Sequence, residues 1–398
     1  MASRPQVARR PPTAGVNLSL NNPTIRAILY QIVVVGAVGL VIWYLVSNTI
    51  ENLETRRIAT GFGFLDREAG LPIGESLIPY SPADTYARAL FVGLLNTLRV
   101  ALIGIVLATL LGTIVGIARL SSNWLVAQAA RVYVEMLRNL PLLLQLLFWW
   151  TLFRDLFPGP RQALAPLPGV FLSNRGVQLP AILWQPGYGY VLGAFVVGVG
   201  AALAVRRWAK RRQALTGQQF PVLWTSLALI FGVPGITFLA IGAPFALERP
   251  ELRGFNFAGG MTLTPEFAAL LIGLVTYTAA FIAEIVRSGI LAVNQGQWEA
   301  ALALGLRRGQ VLRLVVLPQA LRVIVPPTTS QYLNLTKNSS LAVAIGYPDI
   351  VSVANTTLNQ TGQAIEGIAI IMAVYLTISL SISAFMNWYN RHIALVER

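Results

Sequence analysis

A few polar side chains interrupt long apolar stretches, and these are the positions where chemistry could occur. Glu284 and Arg287 lie three residues apart, on one helix face, just after the charge-free run Phe267–Ala283. Lys337, Asn338, Ser339 and Ser340 close the run Val323–Thr336 with a cation and several hydrogen-bonding groups. Gln145 follows Pro141 inside another apolar run. Polar groups at membrane depth are costly unless they face a cavity or a partner. Each therefore marks a candidate path through a bilayer. Simpler readings stand beside these: a local ion pair for Glu284 and Arg287, and snorkelling to the outer interface for Lys337. Arg131, Glu135 and Arg138 share a helix face and read as structural.

The residue inventory excludes most enzyme classes. Cysteine is absent and His392 is the single histidine, so thiolate sites and the HExxH zinc motif are ruled out. A phosphate-binding P-loop needs Gly-Lys followed by Ser or Thr. The only lysines, Lys210 and Lys337, precede Arg211 and Asn338, so the chain has no P-loop. Charged residues make up 12% of the 398, about half the share usual in soluble domains. The net charge of +14 lies between apolar runs, which favours membrane topology over a nucleic-acid surface.

The elements that must position these groups are spanning helices, each needing about 20 mostly apolar residues. Eight spans are expected: Ala27–Ile50, Val100–Ala118, Asn139–Phe153 with a start as early as Trp124, Tyr188–Val205, Pro221–Leu247, Phe267–Ala283, Val323–Thr336 and Gly367–Asn390. The first is too long for a cleavable h-region and lacks a following A-x-A-like site, so it reads as a retained anchor. With the N-terminus inside, 17 of the 30 basic residues fall in inner segments and seven in outer ones, which predicts N-in and C-in. Residues 51–86 and 158–186, rich in Gly and Pro, read as outer loops with little regular structure.

The inner loop Asn294–Pro318 has the richest pattern. Gln297–Leu304 is rich in helix formers, with Glu299 placed in the first turn against the helix dipole. Gly305 fits the left-handed position that ends a helix. A second helical stretch is expected from about Gln310 to Pro318. Ala300, Ala301 and Ala303 make one surface thin enough to enter a groove on another protein. The alternative is an amphipathic loop on the membrane surface.

At Glu299-Ala300-Ala301, Gly305, Val315, Leu317 and Pro318 the loop resembles the EAA loop of permease subunits in ATP-binding cassette importers. The one departure is Val315 for the usual Ile. Gly93-Leu-Leu-Asn-Thr-Leu-Arg-Val-Ala-Leu, Gly112-Thr-Ile-Val-Gly, Tyr133–Gln145, Ala283-Glu-Ile-Val-Arg-Ser-Gly-Ile and Leu317-Pro-Gln-Ala-Leu-Arg, followed by Pro326-Pro327, resemble the polar amino-acid branch of that family. The likeness covers about 90–160 and 265–395. Span one and the insertion 157–264, with its two extra spans, exceed the usual five-span build and resemble the permeases of general L-amino-acid importers.

The resemblance implies an all-α, integral membrane helical bundle of about eight transmembrane helices with the type I importer permease fold, in a bacterial inner membrane. It divides the chain into a cytoplasmic arm (1–26), an extra helix with its outer loop (27–87), a first core part (88–156), the insertion (157–264), a second core part holding the coupling loop 294–318 (265–391) and a cytoplasmic tail (392–398). Glu299, Ala300, Ala301, Gly305 and Pro318 would dock on a cytosolic ATPase dimer. That dimer holds ATP and Mg, and no cofactor is expected in this chain. Further implied partners are a second permease subunit, making a heterodimer, a periplasmic amino-acid-binding protein and the lipid bilayer, with no nucleic acid. For an amino-acid cargo, Lys337 suits the carboxylate and Glu284 the ammonium if their helices face each other, with Asn338, Ser339 and Gln145 as further lining. An ion-coupled secondary transporter is the alternative. Such proteins often show inverted repeats, and none is visible here.

Overall fold

The computed structural model describes residues 23–55, 60–243 and 245–393. Most of the expected N-terminal arm, and the tail beyond residue 393, lie outside the described residues.

Apolar runs become helices wherever they reach the length of a bilayer. The first is α1 (Pro23–Thr55). Next come α2 (Tyr86–Ala118), α3 (Trp124–Asn139) and α4 (Leu142–Thr151), the last extended by a π-helical turn to Leu156. α5 (Tyr188–Thr216) is followed by α6 (Val222–Leu227) and α7 (Val233–Ala240), which a π turn joins into one span. α8 (Pro265–Leu291) leads to α9 (Gln295–Ala303) and α10 (Arg308–Val311). The last three are α11 (Leu317–Asn338), α12 (Ile350–Thr361) and α13 (Ala364–Ile393). Among the described residues seven helices can cross a membrane, and eight if the bent pair α3–α4 counts as one.

That pair is the third span, expected from Asn139 or earlier and marked by Pro141. α3 and α4 meet at 104° around Pro141. Proline lacks an N–H and disfavours helix in the residue before it. Gln145 Nε2 then donates to the carbonyls of Leu137 and Leu140 (3.0 Å each), replacing donors lost at the bend.

The core is a glycine-mediated packing of α2 on α8, with α4 and α11 around α8. A Cβ at Gly112 would meet Ile282 Cβ at 2.7 Å, and one at Gly289 would meet Ile324 Cγ1 at 2.3 Å. Hydrogen at these positions lets the backbones approach, as small residues do in membrane interfaces.

The outer segments hold more structure than their composition suggested. The segment 60–85 carries a 3-10 turn (Phe62–Asp66) and a bridge between Glu68 and Thr85, with Phe64 buried against Tyr86. In the insertion, β1 (Leu164–Leu167), β2 (Val170–Ser173), β3 (Gly176–Leu179) and β8 (Met261–Leu263) form an antiparallel sheet in that order. Two short antiparallel pairs accompany it: β4 (Ala181–Ile182) with β5 (Leu247–Glu248), and β6 (Glu251–Arg253) with β7 (Asn256–Ala258). The molecule is helical in the membrane and carries these ribbons outside it. Strands of two to four residues are too short for alternation to emerge from a Gly/Pro-rich segment.

Candidate functional site

The inner elbow follows from local signals. Asn294 Oδ1 accepts from the Gly296 N–H (2.8 Å) and caps α9. The helix begins at Gln295, so Glu299 sits in its second turn rather than the expected first. It is exposed, as is Ala300, while Ala301 turns inward. Gly305 takes φ 79°, the left-handed conformation expected of it. The Leu306 N–H bonds back to the Ala301 carbonyl (3.3 Å), closing the helix end. A bulky residue at Gly305 would meet no atom but would strain the backbone.

The stretch after the elbow differs from expectation. Helix starts at Arg308, passes a π turn (Leu312–Val316) and runs through Pro318 into α11 without stopping. Pro318 is the second residue of α11, directly after the π turn. Gln319 Nε2 reaches Gln297 Oε1 at 3.4 Å and ties α11 to α9.

The structure separates the candidate path residues. Glu284 is shared by two arginines, Arg287 (2.7 Å) on its own helix and Arg119 at the end of α2. Its two arginines border a cavity of about 410 Å³, lined also by Trp124, Arg131 and Glu135. Lys337 is exposed in the last turn of α11, toward the outer end. Gly289 packs at the level of Ile324, so Glu284 and Lys337 differ in height by roughly 12 Å. They do not face each other as one zwitterion site requires, because α8 and α11 run antiparallel and present them to different levels. Ser339 is buried and donates to the Thr336 carbonyl (2.7 Å), and Asn338 is half-buried. Gln145 is buried, with its amide committed to the bend.

A node at the outer end was not anticipated. Arg99 Nη1 meets Glu75 Oε1 at 2.5 Å, and its guanidinium lies 4.2 Å from the Phe267 ring centre. Thr264 Oγ1 donates to Glu75 Oε2 (2.7 Å). Asn96 Nδ2 donates to the carbonyls of Glu75 and Pro348, and the Ile350 N–H donates to Thr97 Oγ1. Three residues of a single α2 turn thus fasten the segment 60–85, the start of α8 and the turn before α12. The Asn-Thr pair beside Arg99, at the border of an apolar run, was the available signal. Its partner Glu75 lies in a loop without pattern. Asp349, in that turn outside the spans, has its carboxyl pushed up to about 7 by burial, against the opposing pull of the Ser352 and Val351 N–H groups.

A bundle of apolar crossings around a close-packed helix pair, with an exposed two-helix elbow between α8 and α11, defines a helical integral membrane protein. The chain belongs to the family of binding-protein-dependent transport system inner membrane components, matching it over residues 104–395. It is 51% identical over 393 residues to the putative amino-acid ABC transporter permease protein YhdX of Escherichia coli, covering 98% of this chain and 100% of that one. It is 49% identical over 380 residues to the general L-amino acid transport system permease protein AapQ of Rhizobium johnstonii, covering 96% and 95%. To the glutamate/glutamine/aspartate/asparagine transport system permease protein BztB of Rhodobacter capsulatus it is 44% identical over 432 residues, covering 98% and 100%. The chain is therefore a multi-pass inner-membrane permease subunit of an ATP-binding cassette importer. It has no ATPase site of its own, and a partner hydrolyses ATP. Importers of this family work with an ATPase and a binding protein.

Proposed function

We propose that this permease carries polar or general L-amino acids inward, that it pairs with a second, non-identical permease subunit, and that it receives cargo from a periplasmic binding protein. The N- and C-termini face the cytoplasm. ATP with Mg binds the cytosolic ATPase dimer, on which the α9–Gly305–α10 elbow docks through Glu299, Ala300 and Gly305; Ala301, expected among the docking residues, is instead packed inward beneath them, and Pro318 leads into the next span. Closure of the ATPase pair moves the elbow, and α11, continuous with it, tilts the path between outward and inward openings. Full-length likeness to amino-acid permeases supports the cargo. The observation that carries the coupling role is the exposed elbow itself, set between two spans and followed by Arg307, Arg308 and Arg313.

The assembled complex in proteoliposomes should take up labelled L-amino acids only with binding protein and ATP. Gly305→Val should lower both uptake and cargo-stimulated ATPase at least roughly tenfold, since a β-branched residue resists φ > 0. Normal coupling in that variant would remove the elbow from the docking role. Reporter fusions at Gly217 and Gly70 test the topology, with Gly217 expected inside and Gly70 outside.

A further inference from the structure

The outward face of α11 is built unlike that of the other core spans. α13 presents Ile368, Met372, Leu376 and Leu380 away from the bundle, and α2 presents Leu102, Val106 and Leu110. Such faces suit hydrocarbon. α11 instead exposes Pro326, Pro327, Ser330, Asn334 and Lys337, which share one helix face by their three- and four-residue spacing. The threonines of this helix turn elsewhere and satisfy themselves: Thr328, Thr329 and Thr336 each donate to the carbonyl four residues back. The side chains of Ser330, Asn334 and Lys337 have no hydrogen bond or ion pair among the described residues.

The tandem prolines add acceptors to this face. Pro326 and Pro327 have no N–H, so the carbonyls of Arg322 and Val323 lose their i+4 donors. Freed carbonyls at membrane depth require another partner. Helical carbonyls point toward the C-terminal, here outer, end, whereas side chains lean toward the N-terminal end. The Arg322 and Val323 carbonyls and the Ser330 hydroxyl therefore converge on the Pro326–Pro327 step from below and above. Asn334 lies one further turn out, about 6 Å along the axis.

We infer that this face is the main-chain recognition site of the cargo. The freed carbonyls accept from the ammonium, the Ser330 hydroxyl and Asn334 amide donate to the carboxylate, and Lys337 at the outer rim attracts the carboxylate first. The cargo side chain points away from α11, so the site reads what all L-amino acids share. This rests on the amino-acid cargo proposed above. The site differs from the Lys337, Asn338 and Ser339 set suggested by sequence, because Asn338 and Ser339 lie on or beyond the inward face.

The absence of cysteine from this chain allows a direct test. Ser330→Cys, Asn334→Cys and the control Leu376→Cys are each assembled into the full complex in proteoliposomes and treated with a charged, water-soluble methanethiosulfonate. Modification is read as the mass shift of this subunit. Cysteines 330 and 334 should react, and an L-amino acid with binding protein and ATP should slow them at least roughly tenfold, while 376 stays unmodified. Asn334→Ala should raise the half-saturating amino-acid concentration roughly tenfold, as loss of a hydrogen bond to a charged group does. Ser330→Cys and Asn334→Cys as inert as Leu376→Cys in every nucleotide state would mean that the face packs against protein or lipid rather than a water-filled path, which overturns the site. Equal reaction rates with and without amino acid would also overturn it. A wild-type complex that takes up no amino acid ends the cargo reading and the site with it. Normal wild-type uptake with inert cysteines ends the site alone.

Discussion

The α2–α8 pair and the helix α1 are both long, apolar and rich in small residues, yet they behave oppositely. Gly112 and Gly116 of α2 touch α8, and a Cβ at either would lie under 3 Å from its neighbours. Gly36 and Gly39 of α1 meet nothing within 4 Å, and the apolar window of α1 is wholly exposed. The hairpin α5–α7 packs on itself and is tied to the rest through the outer strands. Small residues alone do not make a membrane interface. They do so only where the partner presents a matching surface.

This contrast can be broken by substitution. The largest effect is expected at the core's outer end. Arg99→Ala leaves the Glu75 carboxylate buried without its cation, at a cost of about 3–5 kcal/mol. Thermal unfolding of the complex in nanodiscs should show a large drop, and an unchanged midpoint would mean that Glu75 is solvated. Gly112→Leu should follow, at about 1–3 kcal/mol from overpacking against Ile282, measured the same way.

A third test uses pH. The Asp349 carboxyl is raised to about 7 in the folded protein, above its unfolded value near 3.9. Its contribution is therefore fully present below the unfolded value and is lost as pH rises through the folded one. Between pH 5 and 7 the wild type should lose roughly 1 kcal/mol per pH unit. Asp349→Asn retains a side-chain oxygen for the Ser352 N–H and should flatten the profile. Equal slopes in the two proteins would assign the pH response elsewhere. The smallest effect belongs to the periphery: Gly36→Leu should shift unfolding by less than about 0.5 kcal/mol. A drop like that of Gly112→Leu would show that α1 has a packing partner in the assembled complex.

The spans were legible because a bilayer imposes a length on apolar runs, and α5, α8 and α13 follow the charge-free segments closely. Gly305 was legible because its conformation is local. The bend at Pro141 was half legible. The proline was visible, but the role of Gln145 depends on carbonyls that only the bend exposes. The outer ribbons escaped because their strands are two to four residues long, and one of their pairings, 176–179 with 261–263, crosses an intervening helical hairpin. Lys337 and Glu284 were singled out correctly as polar groups in apolar sequence. Their distance apart could not be read, since it depends on the register of two antiparallel helices set by contacts such as Gly289 with Ile324. The Glu75–Arg99 pair required a loop to fold back onto a helix.

The length of α2 has a mechanical consequence. At 33 residues it is about 50 Å long, while its charge-free part from Val100 to Ala118 already matches a hydrocarbon layer of about 30 Å. The first 14 residues, against which the segment 60–85 packs, therefore extend about 20 Å beyond that part. A rigid rod turns a small rotation into a long swing. A tilt of about ten degrees about the membrane's outer surface moves its tip by roughly 3–4 Å, by the same helix geometry. Rotation at the α2–α8 contact is thus amplified at the outer surface, without any loop having to change shape.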